Sequence, residues 1–145
     1  MAAEPVTRPA LRWFGGKWQL GPWIVQHLPP HDAYCEPYGG AASVLLRKPP
    51  AKLETWNDLH GRLVNFFTVL RARPDELVRA LELTPYARAE YDAARASADD
   101  PLEDARRFYV LSCQCRGGAG GNMELGRARG WRYVVDIEAR KLRKP

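Results

Sequence analysis

Tyr34-Cys35-Glu36-Pro37-Tyr38-Gly39-Gly40-Ala41-Ala42-Ser43-Val44-Leu45-Leu46 is the stretch on which the reading of this chain turns. Residues 33–36 suit a short buried strand, Gly39-Gly40 a turn, and residues 41–47 a helix that stops before Pro49-Pro50. A second strand fits residues 53–56. Strand, helix, strand is the opening of a parallel α/β sheet. A strand-to-helix junction presents free backbone N–H groups, which suit a carboxylate or phosphate. A tight turn with no ligand is equally compatible with Gly39-Gly40. The stretch lacks Gly-x-Gly-x-x-Gly, which disfavours a nicotinamide dehydrogenase.

Upstream lies Leu11-Arg12-Trp13-Phe14-Gly15-Gly16-Lys17. Its end looks like a phosphate loop, but Leu11 stands where the first glycine belongs and Trp18 where Ser or Thr would hold magnesium, so a kinase-type site is disfavoured. An indole at Trp13 suits a core or a ligand wall, and Lys17 suits solvent or an anion. Residues 17–27 read as a helix with Trp18, Leu20, Trp23, Ile24 and Leu28 available for one side, ended by Pro29-Pro30. Downstream, Asp58 follows Glu36 by 22 residues, just past the second strand. An acid there can accept hydrogen bonds from a ribose diol or cap the helix that begins at Leu59.

From Leu59 the spacing becomes helical, with Leu59, Leu63, Phe66, Phe67 and Leu70 on one face before Pro74. Further helices are predicted over residues 75–83 and 87–98. Asp99-Asp100-Pro101 then offers an N-cap and a first-turn proline for a helix through Cys113, its apolar members being Leu102, Ala105, Phe108, Tyr109 and Leu111. The sequence predicts a glycine-rich loop over residues 117–121 and a strand over residues 131–135. No internal repeat is visible.

The chain has 145 residues, of which 46% are hydrophobic, enough for one compact unit. Cys35, Cys113 and Cys115 have neither the number nor the spacing of a disulfide framework or zinc site, and reduced thiols are the simplest reading. The three histidines are too scattered for a metal cluster, so no metal is expected. No apolar run is long enough to cross a bilayer and no leader is evident, which implies a cytoplasmic protein without a membrane partner. The net charge of +5 is localised. Arg116, Arg127, Arg129, Arg132, Arg140, Lys141, Arg143 and Lys144 face only Glu124, Asp136 and Glu138, whereas the preceding residues are balanced. Clustered cations beside a glycine-rich segment fit phosphate contact, and equally a solvated basic tail.

Taken together, three islands in fixed order are specific as a set. Trp13-Phe14-Gly15-Gly16-Lys17 resembles the Trp-Ala-Gly-Gly-Lys element that opens Dam-type adenine-N6 DNA methyltransferases. The run 36–43 resembles their Glu-Pro-Phe-x-Gly-x-Gly-Ser element, and Asn57-Asp58 their Asn-Asp or Ala-Asp acid. More loosely, residues 86–121 resemble the helical part preceding the family's DNA-recognition region. Ala42 departs from the pattern where the family usually has glycine, which tightens the loop.

The resemblance implies an α/β chain, the start of a Rossmann-like S-adenosylmethionine-dependent methyltransferase sheet with a helical insertion. Residues 1–74 would belong to the cofactor-binding core and residues 75–145 to the start of the target-recognition region. It assigns S-adenosylmethionine contacts to Trp13, Lys17 and Asp58, with Glu36, Pro37, Tyr38, Gly39 and Gly40 lining the pocket, and double-stranded DNA as partner through Arg116, Arg127, Arg129 and Arg132. The family's catalytic Asp-Pro-Pro-Tyr is absent from these residues, so no catalytic residue is assigned and the chain is expected to be an N-terminal portion, silent alone. The rivals are a DNA-binding remnant or regulator, and half of a split enzyme whose second chain supplies the missing C-terminal half.

Overall fold

The computed structural model describes residues 6–115. Their order is α1 (Gly21–Gln26), β1 (Ala33–Glu36), β2 (Leu53–Trp56), α2 (Gly61–Ala72), α3 (Pro74–Glu82), α4 (Arg88–Ala94) and α5 (Pro101–Gln114). β1 and β2 pair in parallel, Ala33 opposite Leu53 and Glu36 opposite Trp56. Both strands have the bounds expected from sequence. The glycine-rich loop expected at 117–121, the strand expected at 131–135, the four arginines assigned to DNA and residues 116–145 of the expected 75–145 unit lie outside the described residues.

A parallel pair needs a crossover, supplied here by residues 37–52. Instead of the helix expected over 41–47, it runs through successive turns. Two features of the crossover prevent the helix. Ala42 has φ of 54°, a left-handed conformation that a right-handed helix cannot continue through. Leu45 donates its N–H to Glu36 Oε1 at 2.8 Å, rather than to the carbonyl four residues back.

The first helix also differs from expectation. It is confined to Gly21–Gln26 because Pro22 occupies its first turn, and residues 18–20 form a turn instead. Leu20 and Trp23, assigned to its apolar side, are exposed.

The helical half follows its local signals closely. His60 is extended and caps α2, its ring Nδ1 accepting the Leu63 N–H at 3.3 Å. Asp58 is therefore not the cap, and Leu59 lies outside the helix, exposed. Leu63 and Phe66 face inward as expected, together with Val69, and Phe67 and Leu70 are partly buried against the same core. Pro74 ends α2 and opens α3. Asp100 caps α5 by accepting the Glu103 N–H at 2.9 Å, with Pro101 in the first turn. α4 stops at Ala94, short of the expected 98, and the chain beyond it is tied to α5: Ala98 N–H donates to Asp104 Oδ1 at 3.1 Å.

α5 packs against α2, α3 and α4. Leu63, Phe66, Leu77, Ala105 and Phe108 form the centre of the core, joined by Leu11 from the N-terminal segment. Burial of this kind yields about 1.5–3 kcal/mol per large side chain. Burial also raises the Tyr109 phenol to about 12, with Cys113 adding to the effect. No helix among the described residues is long and apolar enough to cross a membrane.

Candidate functional site

Strand geometry decides what the sheet offers. Alternation places Tyr34 and Glu36 on one face of β1, both half-buried, while Ala33 and Cys35 are exposed on the other. At the end of β1 the chain enters the glycine turn, and a cleft of about 410 Å³ opens there. Its walls include Trp13, Phe14, Gly15, Gly16 and Lys17 from the first island, and Tyr34, Glu36, Tyr38, Gly39, Gly40 and Ser43 from the second. Small-molecule sites commonly occupy about 300–1,000 Å³, so the volume suits a cofactor-sized ligand.

The two glycines are required by close packing. A Cβ on Gly39 would sit 2.1 Å from Trp56 Nε1. A Cβ on Gly40 would sit 2.9 Å from Trp13, and Gly40 also has φ of +51°. Trp13 thus lies directly against the turn. Its outer side meets His60 at 5.6 Å and Phe108 at 6.1 Å between ring centroids, tying the cleft to the helical core.

Asn57 and Asp58, the third island, do not line the cleft; they hold its rim. Asn57 receives the Gly39 N–H on its carbonyl at 2.8 Å, donates its own N–H to the Glu36 carbonyl at 2.9 Å, and donates from Nδ2 to the Pro37 carbonyl at 2.9 Å. Asp58 Oδ2 accepts the Gly40 N–H at 3.0 Å, and Oδ1 accepts the His60 N–H at 3.0 Å. Each carboxylate oxygen keeps a second lone pair. Five backbone groups of the loop and helix start are thereby fixed by two side-by-side residues.

Of the residues singled out from sequence, Trp13, Lys17, Glu36, Tyr38, Gly39 and Gly40 come together on the cleft. Pro37 and Asp58 stand beside it. Lys17 is exposed and donates from Nζ to the Gly15 carbonyl at 2.7 Å. Phe14, Tyr34 and Ser43 were missed. For Tyr34 the period-2 rule held the signal, because a residue two before Glu36 must share its face.

A family model described as D12 class N6 adenine-specific DNA methyltransferase matches residues 13–118, most of the chain. The chain belongs to that family. As a family member it is 32% identical over 105 residues to the DNA adenine methylase of Serratia marcescens, covering 72% of this chain and 34% of that protein. It is 34% identical over 113 residues to the DNA adenine methylase of Salmonella typhi, covering 73% and 40%, and 34% identical over 74 residues to that of Escherichia coli K12, covering 51% and 26%. The matched region thus spans about two-fifths or less of these relatives. For this D12 family member, helices beside a small parallel sheet are compatible with the start of an α/β methyltransferase fold. The family match begins at Trp13, the first residue of the cleft.

Proposed function

We propose that this chain forms most of the S-adenosylmethionine site of a DNA adenine-N6 methyltransferase, at the start of a Rossmann-like sheet. The observation that carries the reading is the convergence of all three islands on the turn at Gly39-Gly40, two as walls and one as its fastening. The donor set suits the ligand. Trp13 and Tyr38 supply aromatic surface to a heterocycle or cation, Glu36 supplies an anion, Lys17 pairs with the methionine carboxylate, and the spare lone pairs of Asp58 accept from ribose hydroxyls. Bound S-adenosylmethionine supplies an activated methyl group on a sulfonium. The chain's own residues hold and orient it; none is assigned to the transfer step. Double-stranded DNA is the proposed substrate, with Arg116, Arg127, Arg129 and Arg132 at its phosphates.

Calorimetric titration tests the site. The parent chain binds S-adenosylmethionine, and Asp58→Ala loses about 1–3 kcal/mol of that binding because ribose hydroxyls and the Gly40 N–H lose their acceptor. Equal affinities for parent and variant would remove Asp58 from the site.

A further inference from the structure

A polar network runs from the wall of the cleft into the crossover. Tyr34 donates its hydroxyl to Glu36 Oε1 at 2.8 Å, and the Leu45 N–H reaches the same oxygen at 2.8 Å. Glu36 Oε2 makes no hydrogen bond among the described residues. The Tyr34 ring is itself held. Lys48, its side chain fully buried, sets Nζ 4.5 Å from the ring centroid, pairs with Glu54 on β2, and donates to the Pro49 carbonyl at 2.9 Å. A cation over an aromatic face, desolvated and neutralised by a carboxylate, is a strong anchor. Glu54 lies directly across the register from Tyr34, so the crossover locks onto both strands at one point.

We propose that Tyr34 is the positioning residue of the cleft: it fixes one oxygen of Glu36 so that the other is presented to the ammonium group of the ligand's amino-acid portion. The inference rests on the cofactor reading of the cleft and adds a division of labour within one carboxylate. A carboxylate has two oxygens and about four acceptor sites. Two donors on Oε1 restrict rotation, and a charge-assisted hydrogen bond depends on direction as well as distance. Burial first, and then the bond to Glu36, push the Tyr34 phenol well above its ordinary range, so the hydroxyl remains a donor across the working pH of the protein.

The test uses two ligands that differ in the group Glu36 is assigned to. S-adenosylhomocysteine carries the ammonium; 5′-methylthioadenosine lacks the amino-acid portion. Tyr34→Phe keeps the ring over Lys48 and removes only the hydroxyl. In the full chain, Tyr34→Phe weakens S-adenosylhomocysteine about tenfold, the scale of a hydrogen bond to a charged group, and leaves 5′-methylthioadenosine within about twofold. Glu36→Gln has the same selectivity, and the double variant is no weaker than Glu36→Gln alone. Equal weakening of both ligands by Tyr34→Phe would make the tyrosine merely structural and overturn the proposal, as would unchanged binding of both. If the parent binds neither ligand, the cofactor reading itself falls, and the proposal with it.

Discussion

The helical half and the sheet half of this chain are held together by opposite means. α2, α3 and α5 close mainly over Leu63, Phe66, Leu77 and Phe108, with one largely buried ion pair, Arg62 to Asp104 at 3.0 Å, tying α2 to α5. β1 and β2 have one face open to solvent and the other fastened by Lys48, Glu54, Tyr34 and Glu36, while Asn57 and Asp58 secure the turn. Apolar packing is tolerant in direction and large in total. Hydrogen bonds contribute less each but fix atoms in place. The contrast teaches that stability and site geometry have separate sources here, joined at Trp13 and Trp56. Trp13 leans on Phe108, and Trp56 meets Phe67 at 4.9 Å between ring centroids.

The largest way to break that division is Phe108→Ala. Phe108 is fully buried at the centre of the helical core, and the variant loses about 3–5 kcal/mol in urea unfolding. Because Trp13 loses its support, tryptophan emission also shifts to the red before the main transition. A loss of less than about 1 kcal/mol would mean that the polar half carries the stability after all.

Gly39→Ala probes the other side. The new methyl collides with the Trp56 indole, and displacing either the ring or the turn costs about 1–3 kcal/mol. The expected signature is selective: ligand binding vanishes in calorimetry while the far-UV helical signal stays at the parent level. Loss of helix together with binding would show that the two halves unfold as one.

Ala42→Gly gives the smallest effect and the sharpest comparison. Glycine relieves a left-handed conformation worth about 1–2 kcal/mol, but adds freedom to the unfolded chain and removes a buried methyl, leaving a net gain of about 1 kcal/mol or less. A higher thermal midpoint with unchanged cofactor affinity is the expected result. A stability loss greater than about 1 kcal/mol would mean that the methyl packs the crossover more than its backbone strains it.

The sequence could be read wherever a signal was local. Both strands begin and end as expected because Pro29-Pro30, Pro49-Pro50 and the glycines punctuate them, and Asp100-Pro101 announces α5 through its own side chain and ring. The residues 41–47 do not form the expected helix because partners outside the stretch intervene: Glu36 takes the Leu45 N–H, and Ala42 adopts positive φ next to a turn pinned by Asn57 and Asp58. Asp58 illustrates the same limit at the site. Its spacing from Glu36 located it beside the cleft, yet its bonds to Gly40 and His60 depend on a loop closing in three dimensions. The family membership stands on the match over residues 13–118, which takes in all three islands. The assignments to Arg116, Arg127, Arg129 and Arg132 concern residues beyond those described.

The fastening by Asn57 and Asp58 has a thermodynamic corollary. Glu36, Pro37, Gly39 and Gly40 are tied to the residues that lead into the capped start of α2, so the loop moves only if the helix start moves with it. A ligand entering such a cleft has little chain left to order. Its association should therefore carry a small heat-capacity change, limited to the surface the ligand itself covers, and a rate constant set by encounter rather than by rearrangement of the protein.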